Sequence, residues 1–143
     1  MTNLLAIING IILAAIGLLH LYWMLGGHWG LDQVLPSSES GQRLLNPGPV
    51  ACLVVAAGLL CFALYYFSLG LHFQLGLPFS AEKWGIWVLT ATFLLRAVGD
   101  FKYVGFFKKV KNTAFGRMDT RWYAPLCAML GTTSLWIGVQ RLI

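Results

Sequence analysis

The chain has 143 residues, of which 58 % are hydrophobic and only 10 % are charged, with a formal net charge of +5 and a mean hydropathy of +0.72. Soluble domains carry about 25 % charged residues, so this composition excludes an ordinary soluble domain and indicates a membrane protein. The length suits one domain. Six of the ten basic residues fall between residues 102 and 121. This clustering is typical of a loop that faces anionic lipid and does not indicate nucleic acid.

Four apolar runs follow one another, at residues 4–25, 50–71, 84–101 and 122–143. At about 1.5 Å per residue, each is roughly long enough to cross a bilayer core of about 30 Å. The first run has no preceding Lys or Arg and is too long for the apolar part of a cleaved signal peptide, so we expect it to remain a helix. The sequence therefore predicts an all-α, integral membrane four-helix bundle formed by one domain, residues 1–143.

The connections predict the orientation of these spans. With four spans, the first connection, residues 26–49, and the third, residues 102–121, lie on the same side, and together they hold Arg43 and the six clustered basic residues. The other side holds only Lys83 and Arg141. Since basic loops remain in the cytoplasm, we expect cytoplasmic long loops and both termini outside. Aromatic residues mixed with lysines in the third connection favour an interfacial segment, with rings inward and ammonium groups outward.

Two charged residues, Arg96 and Asp100, lie four positions apart inside the third run. An ionisable residue in a span costs about 2.5 kcal/mol or more at the bilayer centre, so each needs a partner or a purpose. On a helix the two share a face and can form an intramembrane ion pair. Two interpretations stay open. Either Arg96 binds the anionic group of a ligand, with Asp100 or Asp119 orienting it, or an Arg–Asp pair ties the third helix to the fourth.

Small and polar residues fall on one face of each run at about 100° per residue, and we expect these faces to pack together. On the third run the predicted face contains Gly85, Thr92, Arg96, Asp100 and Tyr103. The polar residues of the first, third and fourth runs converge at the predicted cytoplasmic end. The candidate ligand-binding residues there are His20, Trp23, Arg96, Asp100, Asp119 and Tyr123.

The chemistry of single candidates stays open at this point. His20 suits proton transfer, ligation of a metal or haem, or a structural hydrogen bond. No facing histidine and no ligand spacing supports haem or zinc, so we expect neither a metal nor another cofactor. Asp119 is expected to cap the fourth helix by accepting backbone N–H bonds. Tyr123 either brings a hydroxyl to the cluster or anchors the helix at the interface.

Three segments carry a resemblance to a known family: HLYWMLGGHWG (residues 20–30), RAVGDFKYVGFF (residues 96–107) and FGRMDTRWYAPLC (residues 115–127). The chain resembles a family of small bacterial four-span membrane proteins described as a domain of unknown function. The resemblance implies a multi-pass protein of the bacterial inner (plasma) membrane. It marks as pattern residues His20, Trp23, Arg96, Gly99, Asp100, Asp119 and Tyr123.

A shorter resemblance covers Asp119-Thr-Arg-Trp-Tyr, which is similar to the Asp-x-Arg-Tyr segment of the emopamil-binding and sigma-2-receptor group. That group holds amphiphilic sterol-like ligands beside buried acids. This sequence lacks the group's paired intramembrane glutamates.

Three hypotheses for the function follow. The first is a transporter or lipid-pocket protein that binds a small anionic or amphiphilic ligand through the cluster. The second is a non-enzymatic membrane subunit or assembly factor in which the cluster is structural, and the third is a quinone or electron-transfer site. No GxSxG, Walker, Rossmann or HExxH motif occurs, so whether the chain is an enzyme stays open and no catalytic residue is assigned. Membrane lipid is an expected partner, nucleic acid is not, and so small a bundle makes a homodimer plausible.

Overall fold

The computed structural model describes residues 1–38, 40 and 42–142. Within these residues the regular elements are helices: α1 (Thr2–Met24), α2 (Leu31–Val34), α3 (Pro49–Leu71), α4 (Phe79–Val98), α5 (Ala114–Met118) and α6 (Ala124–Gln140), with a π-helical turn, Asp119–Tyr123, between the last two. Among the described residues of the first connection, an isolated β-bridge joins Ser37 to Arg43. The all-α prediction is confirmed.

Two of the helices, α1 and α3, are long and apolar enough to cross a membrane, each with a mean hydropathy of 2.4 over its most apolar stretch. Only 28 % of that stretch is buried in either helix. The other two long helices differ: α4 carries Glu82, Lys83 and Arg96, and α6 has 17 residues. Length and composition therefore support two candidate spans, and the four-span arrangement stays a prediction.

The four long helices share one core. α1 packs along α3, α4 packs along α6, and α1 also contacts α6. Buried side chains from all four helices form a single cluster. Its members include Ala6, Leu13, Ala63, Tyr66, Leu89, Phe93, Leu130 and Ile137. On α1 and α3 the predicted small-residue faces are largely buried, among them Gly10 and Gly17 on α1 and Ala56 and Ala63 on α3.

The predicted packing face of α4 is wrong at Thr92, although Gly85 lies against α3, where a Cβ would be 2.8 Å from the Tyr65 ring. Thr92 is exposed, and its hydroxyl donates to the Val88 carbonyl of its own helix at 2.8 Å. The buried face is formed instead by a different set of side chains, Ile86, Leu89, Thr90, Phe93 and Ala97. Three of these side chains, Ile86, Leu89 and Phe93, are large and apolar. A threonine that satisfies its hydroxyl within the helix does not need a partner helix.

A glycine ends α4 earlier than the apolar run suggests. Gly99 has φ +85°, a conformation that other residues rarely adopt, and a Cβ at this position would lie 1.7 Å from the Val104 carbonyl oxygen. The chain turns away from the helix here, because no side chain blocks that close approach. Asp100 therefore lies beyond the helix, and the predicted span to residue 101 is three residues too long at this end.

The final helical segment begins well before residue 122. Thr113 caps α5, since its hydroxyl accepts a hydrogen bond from the Gly116 N–H at 2.9 Å. Helix continues through the π-helical turn into α6, where the Ala124 N–H bonds to the Asp119 carbonyl. Pro125 lies next in the chain, lacks an N–H and crowds the carbonyl four residues earlier, which explains the wider turn. The prediction that Asp119 caps the last helix is wrong.

Two polar pairs cross the core, and the sequence did not single them out. The Asn9 amide on α1 donates to the Thr133 hydroxyl on α6 at 2.9 Å. The Tyr66 hydroxyl on α3 hydrogen-bonds to the Ser134 hydroxyl, also on α6. Asn9, Tyr66 and Ser134 are almost completely buried. These pairs join α1 and α3 to α6, because a buried polar group is costly without a partner.

The two long connections lie at the same end of the molecule, since α2 of the first connection contacts α5 of the third. The ends of α1 and α4 that lead into these connections, near Met24 and Val98, are therefore at this end as well. The short connection at residues 72–78, between α3 and α4, lies at the other end.

Two glycines on α3 provide a test of the packing of α1 against α3. A Cβ at Gly70 would lie 2.6 Å from Ile7 Cγ1 and 2.9 Å from the Asn3 carbonyl oxygen, whereas a Cβ at Gly58 meets nothing within 4 Å. We expect Gly70→Ala to destabilise the protein by about 1–3 kcal/mol, as overpacking does. Gly58→Ala should instead stabilise it by about 0.5–1 kcal/mol, since alanine favours a helix interior. Thermal unfolding in mild detergent checks both, and equal shifts for the two variants would contradict the packing.

Candidate functional site

Asp119 is the centre of a buried charged cluster. Its side chain is 0 % exposed. Oδ1 accepts a hydrogen bond from Arg96 Nη2 at 2.9 Å, and Oδ2 accepts from Lys108 Nζ at 2.9 Å and from the Gly105 N–H at 2.8 Å. Both carboxylate oxygens are therefore satisfied by charged or backbone donors. A buried carboxylate is tolerated only with such partners.

Lys108 is the cation that sequence reasoning missed. Its side chain is fully buried, and Nζ donates to the Gly105 carbonyl oxygen at 2.9 Å as well as to Asp119. The prediction that the rings point inward and the ammonium groups outward is wrong at this point of the segment. Lys108 is buried, whereas the neighbouring Phe106 and Phe107 are exposed. Nothing in the spacing of residues 106–111 distinguishes Lys108 from Lys109. Only the position of Asp119 selects it.

Arg96 has a different environment from Lys108. Its side chain is 34 % exposed, and only Nη2 bonds to Asp119. Nη1 is buried and has no hydrogen-bond partner among the described residues. Two cations thus share one carboxylate, which leaves a surplus positive charge and an unsatisfied donor at Arg96. An orphaned buried donor of this kind costs about 1–3 kcal/mol.

Asp100 does not pair with Arg96, so the predicted ion pair between them is wrong. Gly99 ends the helix between the two residues, and the i, i+4 relation of a helix no longer applies. Asp100 Oδ1 instead accepts hydrogen bonds from the N–H groups of Lys102, Tyr103 and Val104 at 2.7–2.9 Å. The carboxylate therefore holds the turn that brings Gly105 and Lys108 to Asp119.

The hydrogen bonds of this turn also set the charge of Asp100. Burial raises the pKa of the carboxyl, but the backbone N–H groups of Val104, Tyr103 and Lys102 outweigh it and lower the pKa below its ordinary value of 3.8. Because the pKa is lower in the folded state than in the unfolded chain, this carboxyl stabilises the fold at pH values above its ordinary pKa. The stabilisation is lost as the pH falls through the lowered pKa. Asp100 is thus ionised at neutral pH, and its turn is intact there.

Tyr123 lies beside the cluster, while His20 and Trp23 form a separate pair at the same end. The charge of Asp119 acts on the Tyr123 hydroxyl, and no hydrogen bond joins the two among the described residues. The hydrogen bonds of the described residues tie His20 Nδ1 to the Ile16 carbonyl oxygen at 2.8 Å and not to Asp119. The His20 ring packs edge-on against Trp23, with centroids 4.8 Å apart, and Trp23 Nε1 donates to the Trp29 carbonyl oxygen at 2.8 Å.

The chemistry of the cluster is that of ion pairing. It contains one carboxylate and two cations. Among the described residues, no three His, Cys, Asp or Glu side chains lie close enough together to hold a metal ion. Fold and site together define an all-helical protein with membrane-compatible helices and a buried charged cluster at one end.

The chain belongs to the family described as "Protein of unknown function (DUF3995)", which it matches over residues 13–134. The matched region runs from the middle of α1 into α6 and includes the whole charged cluster. The resemblance to a family of unknown function is confirmed, whereas the similarity to the emopamil-binding group stays a prediction. No curated protein and no solved structure matches the chain.

The pairing of Asp119 with Lys108 predicts a specific pattern of stability. Asp119→Asn leaves the buried Lys108 ammonium without its carboxylate, and we expect a loss of about 3–5 kcal/mol. Lys108→Met added to Asp119→Asn should recover part of that loss, because the unpaired charge is then gone. Thermal or denaturant unfolding in detergent measures both. Independent, additive losses in the double variant would contradict a direct Asp119–Lys108 pair.

Proposed function

We propose that the chain is a multi-pass bacterial inner-membrane protein whose four long helices span the bilayer, and that it binds a small anionic or amphiphilic ligand at Arg96. Exposed apolar side chains on all four long helices support the membrane placement. They include Leu4, Ile11, Leu18, Val54, Val88, Leu95, Leu135 and Trp136. Apolar surface on this scale is typical of contact with lipid or with a partner and not of a water-facing monomer.

The two less apolar helices also suit a bilayer. α4 has 20 residues, about 30 Å at 1.5 Å per residue. Its charged residues lie near its ends, Glu82 and Lys83 in the first turns and Arg96 in the last, where side chains reach the head groups. α6 has 17 residues, at the lower end of the roughly 17–25 that spans use, and the π-helical turn extends it.

The distribution of charge supports the proposed orientation. The end that contains the two long connections carries exposed Lys102, Lys109, Lys111, Arg117 and Arg121. This excess favours the cytoplasmic side, with both termini outside. The exposed rings of Phe106 and Phe107 beside the lysines favour contact of the third connection with anionic lipid head groups.

Cysteine labelling tests the four-span topology. In a variant with Cys52, Cys61 and Cys127 replaced by serine, single cysteines are introduced as Ser38→Cys, Asn112→Cys and Gln74→Cys. We expect a membrane-impermeant maleimide to label residue 74 in intact cells and residues 38 and 112 only after lysis. Labelling of residue 112 and residue 74 from the same side would contradict four spans.

One observation carries the ligand proposal: Arg96 and Lys108 share a single carboxylate, while Arg96 Nη1 has no partner among the described residues. The surplus positive charge and the free nitrogen favour a phosphate or carboxylate, which a guanidinium binds with two parallel hydrogen bonds. Nη1 is buried, so the acceptor reaches it after neighbouring side chains move. Tyr123 adjoins the cluster, and His20, Trp23 and Asp100 lie at the same end for contact with the rest of the ligand.

A second candidate is a non-enzymatic subunit or assembly factor in which the cluster is purely structural. The complete burial of Asp119 and the saturation of both its oxygens favour it. The two proposals differ in the role of Arg96. The structural proposal needs only a cation at that position, whereas the ligand proposal needs the second guanidinium nitrogen.

Two variants of Arg96 separate the proposals. Arg96→Lys keeps a positive charge beside Asp119 but removes the two-nitrogen guanidinium group. Arg96→Gln removes both the charge and the guanidinium group. Dioctanoyl phosphatidylglycerol is titrated into the purified protein and followed by tryptophan fluorescence. We expect binding at least about tenfold weaker in Arg96→Lys, with an unfolding midpoint near that of the unmodified protein.

Arg121→Gln is the matched control, because Arg121 is an exposed arginine at the same end, placed over the Trp122 ring at 5.7 Å. It should bind like the unmodified protein. Unchanged binding in a folded Arg96→Lys or Arg96→Gln variant would contradict the ligand proposal. If the unmodified protein does not bind and Arg96→Gln unfolds, the structural role is supported instead.

A further inference from the structure

Two adjoining cavities lie at the end of the molecule opposite Asp119. Their volumes are about 220 Å³ and about 210 Å³, and both are lined by Leu69, His72 and Arg141. Glu82 lines the larger cavity, and Asn3 lines the smaller one. The cavities therefore lie where the ends of α3 and α6 meet the beginnings of α1 and α4. Each is below the roughly 300 Å³ of drug-sized sites and suits a small polar group.

The charged residues of the larger cavity do not neutralise each other. Arg141 and Glu82 both line it, yet no salt bridge or side-chain hydrogen bond to either is formed among the described residues. A guanidinium and a carboxylate that line the same small cavity attract each other strongly when their side chains can come into contact. Because they stay apart here, the cavity presents separate places for an anionic and a cationic group.

The walls of the cavity are held by hydrogen bonds within the protein. The Tyr65 hydroxyl on α3 donates to the Glu82 carbonyl oxygen at 2.9 Å, which fixes the beginning of α4. His72 Nε2 lies 2.7 Å from the Asn3 amide nitrogen, so the imidazole bridges the end of α3 to the beginning of α1. His72, the residue after the end of α3, has φ 59°, and this left-handed conformation turns the chain out of the helix. The site is therefore largely formed before any ligand arrives.

We propose that this cavity binds a phosphoethanolamine group, the zwitterion that carries one phosphate and one primary ammonium. The Arg141 guanidinium binds the phosphate through parallel N–H donors, as it binds oxyanions generally. The Glu82 carboxylate accepts hydrogen bonds from the ammonium. A purely anionic ligand would leave Glu82 unpaired beside it and be repelled, whereas the zwitterion satisfies both charges.

The remaining lining of the cavity indicates how such a group arrives. Leu69, Leu75, Leu77 and Phe73 line the same cavity as the two charges. Leu77 and Phe73 are about 40 % exposed, so an apolar path leads from the charged site to the surface. In the proposed topology this is the outer-leaflet end of the protein. Phosphatidylethanolamine, with its acyl chains on that path, is one source of the group, and a soluble phosphoethanolamine is the other.

This inference rests on the proposed membrane placement for its lipid source but not on Arg96, which lies at the other end. The test uses the full chain in mild detergent with native mass spectrometry, and equal amounts of phosphatidylethanolamine, phosphatidylglycerol and phosphatidylcholine are added. Because phosphatidylglycerol is also expected to bind at Arg96, retention is compared in an Arg96→Lys background, where we expect phosphatidylethanolamine to be retained about tenfold more than the other two. Phosphatidylcholine should bind weakly, since its quaternary ammonium has no N–H to donate to Glu82.

Two variants test which charged residue binds the phosphate and which binds the ammonium. Arg141→Gln should lower retention of phosphatidylethanolamine about tenfold. Glu82→Gln should remove the preference over phosphatidylglycerol while leaving an anion bound. Arg121→Gln, at the other end, is the control and should behave like the unmodified protein. Unfolding midpoints of all three are measured, and both cavity residues lie at the ends of helices, so the fold should persist.

Competition with soluble O-phosphoethanolamine distinguishes the two sources. Displacement of the lipid at millimolar concentration shows that the group alone is recognised, and weaker displacement shows that the acyl chains add to the binding. Retention of all three lipids without preference, or unchanged retention in Arg141→Gln and Glu82→Gln, would overturn the proposal. If Arg96→Lys loses phosphatidylglycerol while Arg141→Gln and Glu82→Gln retain phosphatidylethanolamine like the unmodified protein, the proposed function stands and this inference fails.

Discussion

The ion pairing of Asp119 organises the end of the molecule that contains both long connections. One fully buried carboxylate collects donors from three places: Arg96 on α4, Lys108 in the third connection and the Gly105 backbone. Because an unpaired buried charge is far costlier than a paired one, Asp119 requires charged or backbone donors at this position. The connection between α4 and α5 is thereby fixed against the helices and does not behave as a free basic loop.

Local backbone geometry makes that pairing possible. Gly99 ends α4 with a positive φ, and Asp100 gathers three N–H groups of the turn that follows, so that Gly105 and Lys108 return towards the helices. On the other side, Pro125 widens the helix into a π-helical turn at Asp119. The opposite end of the molecule has the reverse character, since Arg141 and Glu82 there remain apart around a cavity. The molecule thus has a salt-bridged cluster at one end and unpaired charges around a cavity at the other.

The apolar runs predicted the four long helices because their hydrophobic character extends over whole helices. The involvement of Arg96 and Asp119 was also predictable, since charged residues next to apolar runs must find partners. The partner of Arg96 was not predictable: the helical i, i+4 rule favours Asp100, and a single glycine at residue 99 removes it. Lys108 was missed because burial of one lysine among several depends on the tertiary position of Asp119. The Asn9–Thr133 pair was missed because it joins residues 124 positions apart.

The most direct test of this account is the hydrogen exchange of the Gly105 amide in the unmodified protein, measured by NMR in detergent micelles. If the Gly105 N–H donates to the buried Asp119 carboxylate at 2.8 Å, it must exchange slowly, while the amide of the exposed Asn112 in the same connection exchanges fast. We expect a difference of at least about a thousandfold, and Asp119→Asn should reduce it. Exchange of Gly105 as fast as that of Asn112 would contradict the central role of Asp119.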